Sequence, residues 1–556
     1  MGSKLDKFYY ADFETTRVNE NNKVRAYLWC CVQGDKEYIG FDIKSFVNFL
    51  KKIGKSTIFF HNLKFDFSYL QYYLIKNNIW YHVLEKQGII YEVKVFECSI
   101  RDSLNFMPMT LKEVGENYCK IYKKTSIDYE VEYNHKPSNE EIEYCINDCL
   151  TLQEGLRTYL STLFSVLNEF DCKKTCKTLF KKLTNAGIAY SAFKELSNFT
   201  LMCPKTNYNE YELYKKAYKG GYVYSSPHGI QKDIRMIDNN SMYPYIYSTL
   251  NMPYGRGFNC NSLEECKKFD FYIVNVEIKY DLKPGNIAII GGSIGRFGGI
   301  DYKESSNGEF ENHTFCNIDL ELIEEFYNCE IVFVWGKGFN TMKSPFKKYC
   351  DIFLDLKNKS KGVVRSVAKV MLNSPYGKCA MNGFNELKEY YIDESDKVVS
   401  EVVGYELDDD AFQYLPIAIQ ITAGARRLLL KTAKQIGFNH VYYMDTDSIK
   451  FDEKAVNNIK YDSKTLGAWK NEGLCVLFKT IAPKKYVFFN GETIFFTCAG
   501  FSKQVLKEEM FHAQNVTYEK ALELMQDFDK GLKLVCLQSK KVSGGRALIP
   551  VEKEIK

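Results

Sequence analysis

Two acidic pairs interrupt otherwise apolar and aromatic runs of this 556-residue chain. "YYADFETT" holds Asp12 and Glu14, and "YYMDTDSIKF" holds Asp445 and Asp447. Strands usually exclude aspartate, and like charges this close repel. Residues two apart on a strand share a face, so Asp12 and Glu14 point the same way. A divalent cation relieves their repulsion. For Asp445 and Asp447 a solvated turn between two strands explains the residues as well, since Asp and Ser favour turns. Spacing alone leaves both readings open.

More carboxylates accompany each pair. Asp66 sits in apolar "HNLKFDFSYL", and "YCINDC" places Tyr144 and Asp148 at i and i+4, on one face of a helix. Four carboxylates on a strand–helix scaffold suit two divalent ions about 4 Å apart, an arrangement that cleaves phosphodiesters, with Tyr144 to orient the water. In "IRMIDNNSMYPYI", Asp238 ends a strand, Ser241 and Tyr243 follow, and Pro244 forbids a continuing ladder. An ordinary strand-to-helix turn accounts for that stretch equally well. Lys361, Arg365, Lys369 and Asn373 recur every four residues and Tyr376 follows, making one basic, hydrogen-bonding stripe. Fixed cations in a row suit a triphosphate whose charge must be neutralised as pyrophosphate leaves. Pro375 should end that helix early.

Regular elements must hold these side chains. "FYYADFETT", "AYLWCCVQG", "KEYIGF" and "STIFFHN" read as strands, "IKSFVNFLKKI" and "FSYLQYYLIKNN" as amphipathic helices, and residues 139–170 as one long helix. Beyond "YKGG" a strand leads into "MIDNNSMYP". Residues 252–313, rich in Gly and Asn, read as an irregular insertion, 344–370 as a long basic helix, and 381–413 as a second irregular, acidic stretch. A helix through "IQITAGARRLLLKTAKQ" precedes the Asp445 pair. The expectation is an α/β (α+β) multidomain chain of three or four domains, without repeats.

Composition narrows the class. With 45% apolar residues, 41 Tyr and 39 Phe, the chain has material for packed cores. A net charge of +4 means that any basic surface is local, at 344–370 rather than at 173–182, which reads as a solvated helix face. Eighteen cysteines without a CxxC pair predict reduced, buried thiols rather than zinc or disulfide frameworks. The charged N-terminus and the absence of an apolar run near 20 residues predict a soluble, intracellular protein with no membrane partner.

The order of these motifs carries a resemblance. DxE, NxxFD and YxxxD resemble the exonuclease motifs of proofreading DNA polymerases with an RNase H-like nuclease fold. That implies Asp12, Glu14, Asp66 and Asp148 as metal ligands, Tyr144 beside the nucleophile, and Thr15, Asn62 and Phe65 on the single-stranded 3′ end. "RDSLNF" and "KKTSIDYE" match two subsidiary motifs more loosely, implying Ser103, Leu104 and Tyr129 as strand contacts and Lys124 as a catalytic support. Asp238, then Lys369 with "NSPYG", then "YMDTDS" resemble motifs A, B and C of family B DNA polymerases. The resemblance implies two Mg²⁺ ions, with Mn²⁺ as a substitute, on Asp238 and Asp447, and Asp445 adjacent and necessary. Arg365, Lys369 and Asn373 would meet the triphosphate, Tyr243 would pack under the sugar, Tyr376 would line the base pair, and Lys484 and Tyr486 of "PKKY" would hold the primer strand.

"AYKGGYVY" resembles the YxGG motif of the protein-primed branch, which implies Tyr218, Gly220 and Gly221 on the template. "NIDLELIEEFY", "TCAGFSK" and "VSGGRALIPVEKEIK" resemble phage members of that branch. The implied division is 1–168 exonuclease, 169–260 palm, 261–345 terminal-protein insertion, 346–380 fingers, 381–413 strand-displacement insertion, 414–504 palm and 505–556 thumb, everything after the exonuclease forming a right-hand polymerase with two insertions. The expected protein is a monomer in the host cytoplasm that works on primer-template DNA and dNTPs with a terminal protein as primer. The alternative is a family B enzyme extending ordinary nucleic-acid primers.

Overall fold

The structure is a computed structural model that describes residues 5–127, 131–197, 203–226, 229–293, 300–408, 413–455, 459–499, 501, 516–528, 530 and 533–554. The N-terminal part is built on seven strands: β1 Tyr9–Thr15, β2 Ala26–Gln33, β3 Lys36–Gly40, β4 Thr57–Phe60, β5 Tyr81–Lys86, β6 Ile89–Val95 and β7 Cys98–Asp102. Their order is β3-β2-β1-β4-β7-β6-β5, parallel only at β1–β4 and β4–β7. β2 is apolar and buried nearly throughout, as a strand covered on both faces must be. Phe46, Phe49 and Leu63, from helices Ile43–Ile53 and Leu63–Lys76, cover one face with Phe13 and Trp29. Helix Asn139–Glu169 lies on the other, where Leu152, Leu156 and Tyr159 meet Tyr10, Tyr27 and Cys30. Its start is fixed by a capping box between Ser138 and Glu141. Tyr10, Asp12 and Glu14 share the face toward this helix, so Asp148 meets the strand carboxylates from above.

The second seven-stranded sheet is antiparallel, in the order β22-β21-β20-β9-β19-β18-β8. It comprises β8 Val223–Ser225, β9 Gln231–Asn239, β18 Val441–Asp445, β19 Ser448–Asp452, β20 Trp469–Ala482, β21 Lys485–Phe489 and β22 Ile494–Cys498. Helix Leu415–Ile436 packs behind it and is apolar almost all round, the signature of a buried helix. Pro244 falls in the first turn of helix Met242–Thr249, where its missing N–H costs nothing.

Three expectations are corrected. Residues 252–313 are not irregular: β10 Met252–Cys260, β11 Phe271–Leu282, β14 Glu311–Cys316 and β15 Tyr327–Met342 pair in the order β10-β15-β11-β14, beside a ribbon of β12 Ile290–Ser293 and β13 Ile300–Lys303. Gly and Asn lie within or between long strands there. Residues 381–413 hold a hairpin of β16 Phe384–Ile392 and β17 Val398–Leu407. Much of it is exposed, and Glu, Lys, Asp and Ser are interspersed among its apolar residues, which hid the strands behind a polar composition. The 344–370 helix is two helices, Lys347–Lys359 and Gly362–Asn373. Gly362 has φ +54° and Lys361 is extended, which takes Lys361 out of the stripe and leaves Arg365, Lys369 and Asn373 in it. As Pro375 requires, the second helix ends at Asn373.

A C-terminal hairpin, β23 Lys533–Val542 and β24 Gly545–Glu554, returns to the N-terminal part, where Val542 and Ala547 enter the same core as Phe67 and Tyr69. Val24 donates its N–H to the Ser543 carbonyl at 2.9 Å. At Gly544, with φ +89°, a Cβ would sit 2.2 Å from the Val24 carbonyl oxygen, so only glycine fits. Asp396, in the turn between β16 and β17, accepts from the Tyr72 hydroxyl at 2.8 Å and from the Ser543 hydroxyl at 2.5 Å. Three distant stretches of chain thus meet at one carboxylate. The cysteines are unpaired thiols, and all but Cys329 are buried. Among the described residues no helix is long and apolar enough to cross a membrane.

Two candidate active sites

The N-terminal sheet brings Asp12 and Glu14 together with Asp66, in the first turn of its helix, and with Asp148. Loss of hydration pushes the Asp12 carboxyl up to about 7; Asp148 adds to the shift and Lys124 opposes it. Asp66 is raised well above the carboxylate range, by loss of hydration and then by Asp12. Burial raises Asp148 too, against the ion pair it forms with Lys124. Lys124 also lies over the Tyr144 ring, 5.0 Å from its centroid. Among the described residues the second oxygen of Asp148 is buried with no hydrogen-bond partner. Donor atoms of Asp12, Glu14 and Cys145 lie within 4.8 Å of one another. Carboxylates gathered with one cation among them, and a buried oxygen left over, fit divalent metal.

The strand contacts are placed unevenly. Asn62 is exposed, in the left-handed region at φ +68°, while Thr15, Phe65 and Leu104 are half-buried. Ser103 is buried, its hydroxyl bonded to the Phe60 carbonyl at 2.9 Å and to His61 at 2.8 Å. Its side chain therefore braces the loop. Tyr129 lies outside the described residues. Asp102 went unnoticed in the sequence: its carboxylate accepts from the N–H groups of Asn62, Leu63 and Leu104 at 3.1, 3.1 and 2.9 Å, which fixes the Asn62 turn. Its place just before Ser103 in "RDSLNF" was the available signal.

In the second site Asp238, near the end of β9, lies opposite Ser448 of β19. Asp445 pairs with Ser448, so Thr446 and Asp447 form a two-residue turn, with Thr446 at φ +57°. Asn239 donates its N–H to the Asp447 carbonyl at 2.8 Å. Loss of hydration, then Asp447, pushes Asp238 up to about 6, and Asp447 is raised likewise by burial. The two aspartates of the pair differ: Lys484 donates to both oxygens of Asp445, at 2.6 and 2.9 Å, whereas Asp447 acts on Asp238. Lys484, expected on a primer strand, is seen here on Asp445. Tyr486 packs on Tyr443, with ring centroids 4.8 Å apart.

Tyr243 stacks on Tyr376, 4.6 Å between centroids. Arg365 donates to the Lys357 carbonyl at 2.6 Å, and Asn373 to the Lys369 carbonyl at 2.8 Å. Lys357 was missed as a candidate. It is buried and donates to Asn240 and Ser241 at 3.2 Å each, beside Asp238 in the chain. Burial lowers its pKa, and Arg365 and Lys369 lower it further, so three cations converge there. The Gly220–Gly221 loop reaches the same turn: a Cβ on Gly221 would lie 2.6 Å from the Thr446 hydroxyl, and Thr446 donates its N–H to the Tyr222 carbonyl at 2.9 Å.

These shifts give a pH dependence. A carboxyl whose folded pKa is raised stabilises the fold below its ordinary value of about 4, and that contribution is lost as pH rises through the folded value. For Asp12 and Asp238 the loss runs up to about 7 and about 6. A divalent ion held by these carboxylates would cancel it, so the gain in melting temperature on adding Mg²⁺ to protein in EDTA should grow from pH 5.5 to pH 8. Calorimetry across that range checks this, and a gain that shrinks with pH contradicts it.

Comparison with known proteins places this geometry. The profile of the family described as DNA polymerase type B, organellar and viral, matches residues 48–139 and 130–413. The chain is similar to the DNA polymerase of Bacillus phage phi29, 28% identical over 520 residues, covering 86% of each chain. It is also similar to the DNA polymerase of Streptococcus phage Cp-1, 25% identical over 519 residues and 86% of this chain against 88% of that one. Among solved structures it is similar to phi29 DNA polymerase complexed with primer-template DNA and incoming nucleotides, with TM-score 0.84 and 25% identity, covering 99% of this chain and 100% of that one.

Proposed function

The chain belongs to the type B DNA polymerases of organelles and viruses, and from that premise we propose that its DNA synthesis is primed by a protein. It is a DNA-directed DNA polymerase with a 3′–5′ exonuclease, and members of the family need divalent metal. We assign two Mg²⁺ ions to each site, Mn²⁺ being a substitute. Asp238 and Asp447 would hold the pair in the polymerising site, and Asp12, Glu14, Asp66 and Asp148 the pair in the nuclease. Bound there, the ions stabilise charge on the attacking and leaving oxygens. The single observation that carries the polymerising assignment is the reach of Lys357 to the turn after Asp238, with Arg365 bonded to the Lys357 carbonyl behind it.

The chain's own residues then divide the work. Lys357, Arg365 and Lys369 neutralise the triphosphate, and Asn373 helps to hold it. Tyr243, stiffened by its stack on Tyr376, packs under the sugar, and Tyr376 lines the new base pair. Lys484 holds Asp445 and, with Tyr486, meets the primer strand; Tyr218, Gly220 and Gly221 meet the template. In the nuclease, Lys124 holds Asp148, Tyr144 orients the attacking water, and Thr15, Asn62, Phe65 and Leu104 receive the frayed 3′ end.

Protein priming rests on the Tyr218–Gly221 motif together with two insertions, the four-stranded sheet around β11 and the hairpin β16–β17. The first would seat a terminal protein and the second would help part the strands ahead of the enzyme, acting as a monomer in the host cytoplasm. The test is transfer of a labelled dNMP to a terminal protein encoded beside this gene. Transfer supports the reading. Extension of oligonucleotide primers alone, with no transfer to any cognate protein, favours the ordinary-primer alternative. Tyr243→Val opens the space beneath the sugar and should cut discrimination against ribonucleotides about 10-fold or more, read as the ratio of kcat/KM for dNTP and rNTP.

A further inference from the structure

Arg426 lies buried in helix Leu415–Ile436. Its guanidinium forms a fork with Asp319, the contacts being 2.7, 2.9 and 3.0 Å. Asp319 belongs to helix Asn317–Phe326, between β14 and β15 of the first insertion. The same guanidinium donates to the carbonyls of Lys219 and Gly220 at 2.7 Å each. A planar fork paired with a carboxylate sets direction as well as charge, so these two carbonyls are held in fixed positions.

The clamped loop touches the polymerising turn directly. Gly221 leaves no room for a side chain against Thr446, and the Tyr222 carbonyl receives the Thr446 N–H. Thr446 is the residue between Asp445 and Asp447, in the left-handed region where backbone conformation depends on outside support. A cavity of about 350 Å³, lined by Tyr218, Gly221, Tyr302, Asp319 and Arg426, borders the loop. On that side the guanidinium holds the loop's carbonyls, while Lys219 lies over the Phe315 ring at 4.4 Å and Tyr222 packs on Tyr302 with centroids 4.7 Å apart.

We infer that Arg426 and Asp319 are positioning residues for the polymerising site: their ion pair clamps the Gly220–Gly221 loop, and the loop holds the Thr446 turn that carries Asp447. The inference rests on Asp447 being a polymerising carboxylate. It also makes the first insertion part of the support of that site, because Asp319 comes from it. A loosened loop lets the turn drift, and misplacement by about 1 Å is enough to cost on the order of 100-fold in rate.

Arg426→Lys in the full chain keeps the charge and loses the fork. Expected is a fall of about 10- to 100-fold in kcat for primer extension, with a several-fold rise in the Mg²⁺ concentration needed for half-maximal synthesis. Degradation of a single-stranded oligonucleotide by the same preparation should stay within about 2-fold, because the nuclease carboxylates lie on the other sheet. Gly221→Ala pushes on Thr446 without touching the ion pair and should give the same signature. Wild-type kcat and Mg²⁺ dependence in Arg426→Lys overturns the proposal, and so does a parallel loss of synthesis and nuclease, which marks a general defect of folding. Asp447→Asn separates the two layers of argument. If that variant still polymerises, the reading of the site fails; if it is inactive while Arg426→Lys is normal, only the clamp fails.

Discussion

Asp447→Asn should lower kcat for primer extension by about 1,000-fold or more while single-strand degradation persists, because the metal proposed there, and the charge it would set against the developing negative oxygens, would be lost. The choice of Asp447 over Asp445 follows from their partners. Lys484 already saturates Asp445 with two short contacts. Asp447 instead raises the pKa of Asp238, which is what two carboxylates do when they share a space meant for a cation. Asp238→Asn should therefore fail in the same way. Steady-state extension of a 5′-labelled primer with complementary dNTPs reads both variants, and retention of synthesis within about 10-fold in either would remove that residue from the metal site.

Asp12→Ala combined with Asp66→Ala gives the opposite phenotype. Exonuclease should fall by about 1,000-fold or more, with extension of a matched primer unchanged within about 2-fold. The variant should also be more stable than the parent in EDTA, by about 1–3 °C in melting temperature, because two mutually repelling groups have gone from a poorly hydrated site. Gain of stability with loss of activity distinguishes a metal site from an ordinary buried polar cluster, whose loss destabilises. A lower melting temperature in EDTA would show that these carboxylates stabilise the fold.

The two sites were unequally legible. Asp12 and Glu14 on one strand, and Tyr144 with Asp148 on one helix, follow from periods of two and of about four. The strands β1 to β4 and the helix Asn139–Glu169 were read for the same reason: their apolar spacing is regular. Hidden were features that depend on a single backbone angle or a distant partner. Gly362 breaks the basic helix, and no count of Lys and Arg reveals that Lys361 leaves the stripe while Lys357 joins it from the helix before. Asp102 and Arg426 act on main-chain groups of other segments, and such contacts have no sequence period. The hairpin β16–β17 was masked by its own exposure, since its apolar residues, among them Val403, Tyr405 and Leu407, stay on the surface between charged and polar ones.

The junction at Gly544 has a consequence for the order of events during synthesis. The Tyr69 hydroxyl bonds to the Arg546 carbonyl across 477 positions of chain, and Val542 and Ala547 complete a core begun by β1, β2 and β4. The N-terminal sheet therefore waits for a segment made 477 positions later. At roughly 5–20 residues per second that delay is on the order of 25–95 s. Through that interval Tyr69 and the edge at Val24 stand uncovered. A nascent chain halted before residue 540 would carry Asp12, Glu14, Asp66 and Asp148 and an unfinished wall behind them.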